Sequence, residues 1–138
     1  MAERLFKKRL KDLGIEGVEV RSAGVASYPG MPSPPEVDQA LKPLGADAKG
    51  HASQLLTGEL VDWADLILGM EAGHQMTAAH KFPRAVGKTY VLKSYAKAEG
   101  PRDIPDPIGA PPDVYAACAK DIAAALIKLM EKLEEKKT

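Results

Sequence analysis

Asp106 stands between Pro105 and Pro107. Proline locks φ, so this loop is stiff and a carboxylate on it can be aimed. Aimed at a reacting group, such a carboxylate can exchange a proton; left in a proline-rich turn, it is a solvated charge. Asp103, earlier on the same loop, is the weaker candidate and reads as a loop charge. Cys118 is the only thiol of the chain. Its neighbours Ala116, Ala117 and Ala119 belong to a helix, and Tyr115 and Ile122 share the spacing of a buried face. Set in the interior of that helix and on its buried face, Cys118 reads as a structural cysteine. His74 and His80 lie six apart on an expected helix. That is poor spacing for a shared metal, and no cysteine or third histidine joins them. Met70, Met76 and Met130 read as packing.

The elements that must position Asp106 follow from periodicity. Ala2, Leu5, Phe6, Leu10 and Leu13 give a helical face that Gly14 stops. Val18 to Ser22 reads as a short strand, and Ala23 to Pro32 as a Gly/Pro loop. Ser33-Pro34-Pro35-Glu36 reads as a capping box, followed by a helix with Val37, Ala40, Leu41 and Leu44 inward. Pro43 should tighten or end its last turn. Thr57 is expected to cap a short helix carrying Leu60, Val61 and Trp63. Asp65 to Met70 is apolar at its centre, as expected of a strand covered on both faces. Glu71 to Lys81 reads as helix and Thr89 to Leu92 as another strand. Ala96 to Pro112 is long and irregular, and loops of that length in compact domains are often functional. Asp113 should cap a long terminal helix through Tyr115, Ile122, Leu126, Leu129 and Leu133. Strands alternating with helices predict an α/β fold of three layers, α/β/α, around a short parallel sheet with three strands visible.

Composition fits one domain over residues 1–138. Hydrophobic residues make up 45% and charged residues 28%. Nineteen basic and nineteen acidic side chains cancel, which favours neither nucleic acid nor an anionic membrane as partner. One cysteine cannot close an intrachain disulfide, which points to a reducing cytoplasm. No apolar run approaches the length of a membrane span. The charged, periodic start is unlike a signal peptide, and Lys132 to Thr138 reads as a charged end that frays.

Several landmarks in order resemble the low-molecular-weight protein tyrosine phosphatase family: Met1-Ala2-Glu3, Val20-Arg21-Ser22-Ala23-Gly24, Gly50-His51-Ala52-Ser53 with Leu56-Thr57, Trp63-Ala64-Asp65-Leu66-Ile67-Leu68, and Asp103-Ile104-Pro105-Asp106-Pro107. In that family a first strand and a phosphate-binding loop (Cys, five residues, Arg, then Ser-Pro) run directly into a helix opening Met-Ala-Glu. The resemblance therefore places the nucleophile, the arginine and the central first strand of the sheet ahead of Met1, and implies an N-terminally truncated domain. It implies that Asp106 is the general acid, protonating the leaving oxygen and then activating water. Ile108 falls where the family usually sets an aromatic residue against the substrate, and an aliphatic side chain has no π-face to offer. Tyr28 matches the aromatic wall on the opposite loop. Ser22 and His51 match positions that brace the phosphate loop; read alone, they are a strand-end serine and a turn histidine satisfying local backbone. The match is closest to bacterial members, some of which act on phosphoarginine instead of phosphotyrosine.

The implied chemistry is phosphomonoester hydrolysis on phosphorylated protein through a cysteinyl-phosphate, with neither metal nor organic cofactor. Cys118 does not supply the nucleophile, because Ala124 stands where the motif requires arginine. On this reading the chain keeps the acid and is inactive for want of the Cys/Arg loop. The alternative is a non-catalytic binding or regulatory module, for which a homodimer is one way to pair the open strand edges. Arsenate reductase shares the fold, but that chemistry needs resolving cysteines that this chain lacks.

Overall fold

A computed structural model describes residues 1–26 and 29–135. The chain opens with α1 (Ala2–Asp12), which buries Leu5 and Leu10 and ends as Gly14 takes a positive φ of 65°. Helix α2 (Pro35–Leu41) passes into a 3-10 turn at Lys42–Leu44, the tightening expected of Pro43. Helix α3 (Gly58–Trp63) starts at Thr57, whose hydroxyl accepts the Leu60 amide at 3.2 Å. Strand β1 (Ile67–Gly69), helix α4 (Ala72–Lys81), a 3-10 stretch at Pro83–Lys88 and strand β2 (Thr89–Val91) follow. Helix α5 (Leu92–Ala96) and the long α6 (Pro112–Glu135) complete the order.

The architecture is α/β. β1 and β2 pair in parallel, with Ile67 opposite Thr89, Leu68 opposite Tyr90 and Gly69 opposite Val91. α4 packs against both strands, and α6 packs on α1, α2 and α5. The main core gathers Leu41, Leu92, Ala119, Ala125 and Leu129, all 1% exposed or less, with Leu68 and Met70 against it. Val61, Ala78, Ala85 and Val91 are buried outside that cluster.

Five expectations change. Among the described residues two strands pair, not three: Val18 to Ser22 forms no ladder, although Gly24 makes a parallel bridge to Leu55. An extended segment becomes a strand only by pairing, and among the described residues Val18 to Ser22 makes no backbone ladder. β1 is half-buried and not covered on both faces, because a groove opens beside it. Ser33 does not cap α2; Pro34 is the N-cap and Pro35 holds the first helical position, where no amide donor is needed. Pro112 likewise opens α6, leaving Asp113 in the first turn, where its charge favours the helix dipole. The tail is helical as far as Glu135, and Lys136 to Thr138 lie outside the described residues. Among the described residues no helix is long and apolar enough to cross a membrane.

Candidate active site

The loop carrying Asp106 is fixed at several points. Ile104 is 3% exposed, and its amide donates to the Met70 carbonyl at 2.9 Å, anchoring the loop to the C-terminal end of β1. The Asp103 carboxylate accepts the Ala72 amide at 3.0 Å and so caps α4 from across the chain, since Glu71 makes no cap of its own. That backbone hydrogen bond holds the Asp103 carboxyl below its ordinary range. Asp103 is therefore more than a loop charge. Next to Pro105, Asp106 is exposed, and its Oδ1 accepts the Ile108 amide at 3.0 Å. This Asx turn and the flanking prolines set the carboxylate's direction. Cys118 Sγ lies 3.9 Å from the Pro105 carbonyl, tying α6 to the loop. Burial pushes the Cys118 thiol up, so it is protonated at neutral pH and a poor nucleophile.

A second cluster gathers at the start of α1. Ser22 donates to Glu3 at 2.9 Å, and Lys7 reaches the other Glu3 oxygen at 3.3 Å. Burial raises the Glu3 pKa, but the hydrogen bonds from Ser22 and Lys7 together outweigh it and leave the carboxyl below its usual range. Ser22 is itself held, because Gln54 Nε2 donates to its carbonyl at 2.8 Å and the Gly24 amide donates to the Gln54 carbonyl at 2.9 Å. Burial lowers the His51 pKa against the opposing pull of the Glu3 charge, so the imidazole is neutral at pH 7. Burial also lowers the pKa of the Met1 amine, while nearby Cys118, Glu3 and Asp106 act to raise it.

Between these clusters runs a groove of about 840 Å³. One wall is Gly17 to Val25 and the other runs from Trp63 to Met70. Its floor is the core itself: Leu92, Ile122, Leu126 and Leu129. At roughly 24 cal/mol per Å³, a dry void of 840 Å³ would cost on the order of 20 kcal/mol. That exceeds the ~5–15 kcal/mol stability of a whole domain, so this space is a solvent-filled groove, not a sealed hole. Met1, Glu3, Ser22, Asp106 and Cys118 all line it.

The structure thus brings Asp106 and Ser22 to one groove. His51 and Ile108 are not among its lining residues, and Ile108 is 73% exposed. Tyr28 lies outside the described residues. The Glu3 carboxylate went unassigned in the sequence. Its position in the first turn of α1, with Lys7 one turn on, was a local signal, but its link to Ser22 spans 19 residues and has none. Among the described residues no three His, Cys, Asp or Glu side chains converge as a metal-ligand set.

A parallel sheet flanked by helices, with a proline-bound carboxylate at its C-terminal edge, defines an α/β domain. Residues 1–138 match the family described as low molecular weight phosphotyrosine protein phosphatase. The chain belongs to that family. It is 36% identical over 125 residues to the protein-arginine-phosphatase of Geobacillus stearothermophilus, a match covering 91% of this chain and 83% of the relative. The solved YwlE arginine phosphatase from Geobacillus stearothermophilus superposes with a TM-score of 0.88 at 34% identity, covering 99% of this chain and 84% of that one. A low molecular weight protein tyrosine phosphatase from T. tengcongensis superposes with a TM-score of 0.88 at 33% identity, covering 95% and 88%.

Proposed function

We propose that this domain serves hydrolytic removal of phosphoryl groups from phosphorylated protein, at a phosphate ester or at the P–N bond of phosphoarginine, and that Asp106 is the general acid that protonates the leaving oxygen or nitrogen. The carrying observation is the placement of Asp106: a carboxylate turned by the Ile108 amide, on a loop pinned to the end of β1, at the mouth of the groove. A carboxylic acid there can protonate a leaving group and, once ionised, activate water. Ser22 is proposed to brace the phosphate-binding loop through the hydroxyl now held by Glu3, with His51 behind it as a neutral imidazole. Tyr28 and Ile108 are proposed as the two sides of the substrate entrance. Isoleucine at position 108 offers no π-face to a phosphorylated ring, and the arginine-phosphatase relatives support phosphoarginine as the substrate.

Residues 1–138 by themselves hold only the acid side of this chemistry. Cys118 is their sole cysteine, Ala124 follows it where an arginine is required, and its thiol is held protonated. Loss of the cysteine removes the covalent route, and loss of the arginine and loop amides removes stabilisation of the transition-state charge. The purified 138-residue polypeptide is therefore expected to leave both an aryl phosphate and a phosphoarginine peptide at the uncatalysed rate. Turnover that survives Cys118→Ala and disappears in Asp106→Asn would reveal another nucleophile and refute the expected inactivity of this polypeptide.

A further inference from the structure

We propose that the surface pocket between β2, α5, α6 and the segment around Arg102 is a second ligand site, one that takes a small flat ring carrying a phosphate-type oxyanion. The pocket is about 500 Å³, ample for such a compound. It is distinct from the groove. Of its lining residues only Gln75 also lines the groove, and the Gln75 side-chain amide is engaged by the Thr89 carbonyl at 3.0 Å.

Charge, donors and rings carry this. Arg102 and Lys132 both line the pocket, and none of its described lining residues is acidic. Lys132 Nζ donates to the Tyr95 carbonyl at 2.8 Å and lies 3.9 Å from the Tyr95 ring centre. Neither contact cancels its charge, and the neighbouring Glu131 pairs with Lys128 instead. An ammonium has three donors, so two remain for a ligand. Arg102 spends Nε on Asp103 at 3.2 Å, and among the described residues its two terminal nitrogens have no partner. The Ser94 hydroxyl likewise makes no side-chain hydrogen bond among the described residues and is exposed. Donors thus come from three elements. A group with three oxygens can meet all of them at once, whereas a planar carboxylate has two. Beside them, the Tyr90 and Tyr95 rings stand 4.7 Å apart, tilted by 41°, and Tyr90 is 39% exposed. A flat ring packs on such a wall more favourably than an alkyl chain of the same size. The inference concerns this pocket alone and holds whether or not Asp106 acts in catalysis.

The probe is phenylphosphonate, whose P–C bond is not hydrolysed, titrated into the full chain and followed by amide chemical shifts. Binding should be saturable, should weaken as salt is raised, and should move the amides of Tyr90, Ser94, Tyr95 and Arg102 while Ser22 and Leu68 in the groove stay in place. Methylphosphonate keeps the anion without the ring, benzyl alcohol the ring without the anion, and benzoate has one oxygen fewer; each should bind more weakly. Arg102→Gln and Lys132→Gln should each weaken the probe about tenfold or more, since each removes a charged donor. Unchanged amide exchange along α6 shows that both variants are folded. The proposal is overturned by shifts that centre on Ser22 and Leu68, by the absence of saturable binding, or by folded variants that bind as the parent does. Methylphosphonate or benzoate binding as tightly as the probe would overturn it too, by removing the ring or the third oxygen from the recognition.

Discussion

Glu3 ties the first turn of α1 to the segment carrying Ser22 through one carboxylate. Its pKa is depressed in the fold, so the sign follows directly: its contribution is fully present above the usual carboxylate range and is lost as pH falls through the depressed value. Ser22→Ala removes a charge-assisted donor and should cost about 1 kcal/mol at pH 7. Urea midpoints should show this cost shrinking at acid pH, where Glu3 is protonated. His51 acts in the same direction: its lowered pKa means stability is present above the usual imidazole range and falls as acid forces a charge onto it. His51→Gln should flatten the stability profile below neutrality. Asp106 and Cys118 were legible as residue types, because prolines and an alanine-rich helix surround them. The Asp103 cap on α4 was not, since it joins residues 31 apart.

At the scale of elements, helices with a strong apolar period were the most readable. α6 buries Tyr115, Ile122, Leu126 and Leu129 as its spacing predicts. Leu129 is fully buried, and Leu129→Ala should cost about 2–5 kcal/mol in denaturant unfolding. Thr57→Ala should remove the α3 cap at about 1 kcal/mol. Asp103→Ala should speed amide exchange at Ala72 while leaving α6 untouched, because that amide loses its acceptor. Short strands were less readable. β1 and β2 emerged because they find each other, whereas Val18 to Ser22 has the residue types of a strand and no pairing partner. The helix starts at Pro35 and Pro112 were misjudged for a local reason: proline at the first helical position replaces the side-chain cap expected one or two residues earlier.

For the whole molecule, family and fold were legible because the landmarks run in order along nearly the full chain. The groove was not, since it is a relation between Gly17 to Val25 and Trp63 to Met70, far apart in sequence. It also explains why α6 and Asp106 belong to one account: residues of both line the same groove. The most direct measurement is hydrolysis of a phosphoarginine peptide by a chimera. It places the family's strand and loop (Cys, five residues, Arg, Ser-Pro) in frame ahead of Met1. The account predicts that the chimera turns the peptide over, that Cys118→Ala leaves the rate unchanged, and that Asp106→Asn lowers it about 10²–10⁴-fold. A folded chimera that stays inactive, or one whose rate ignores Asp106, would contradict it.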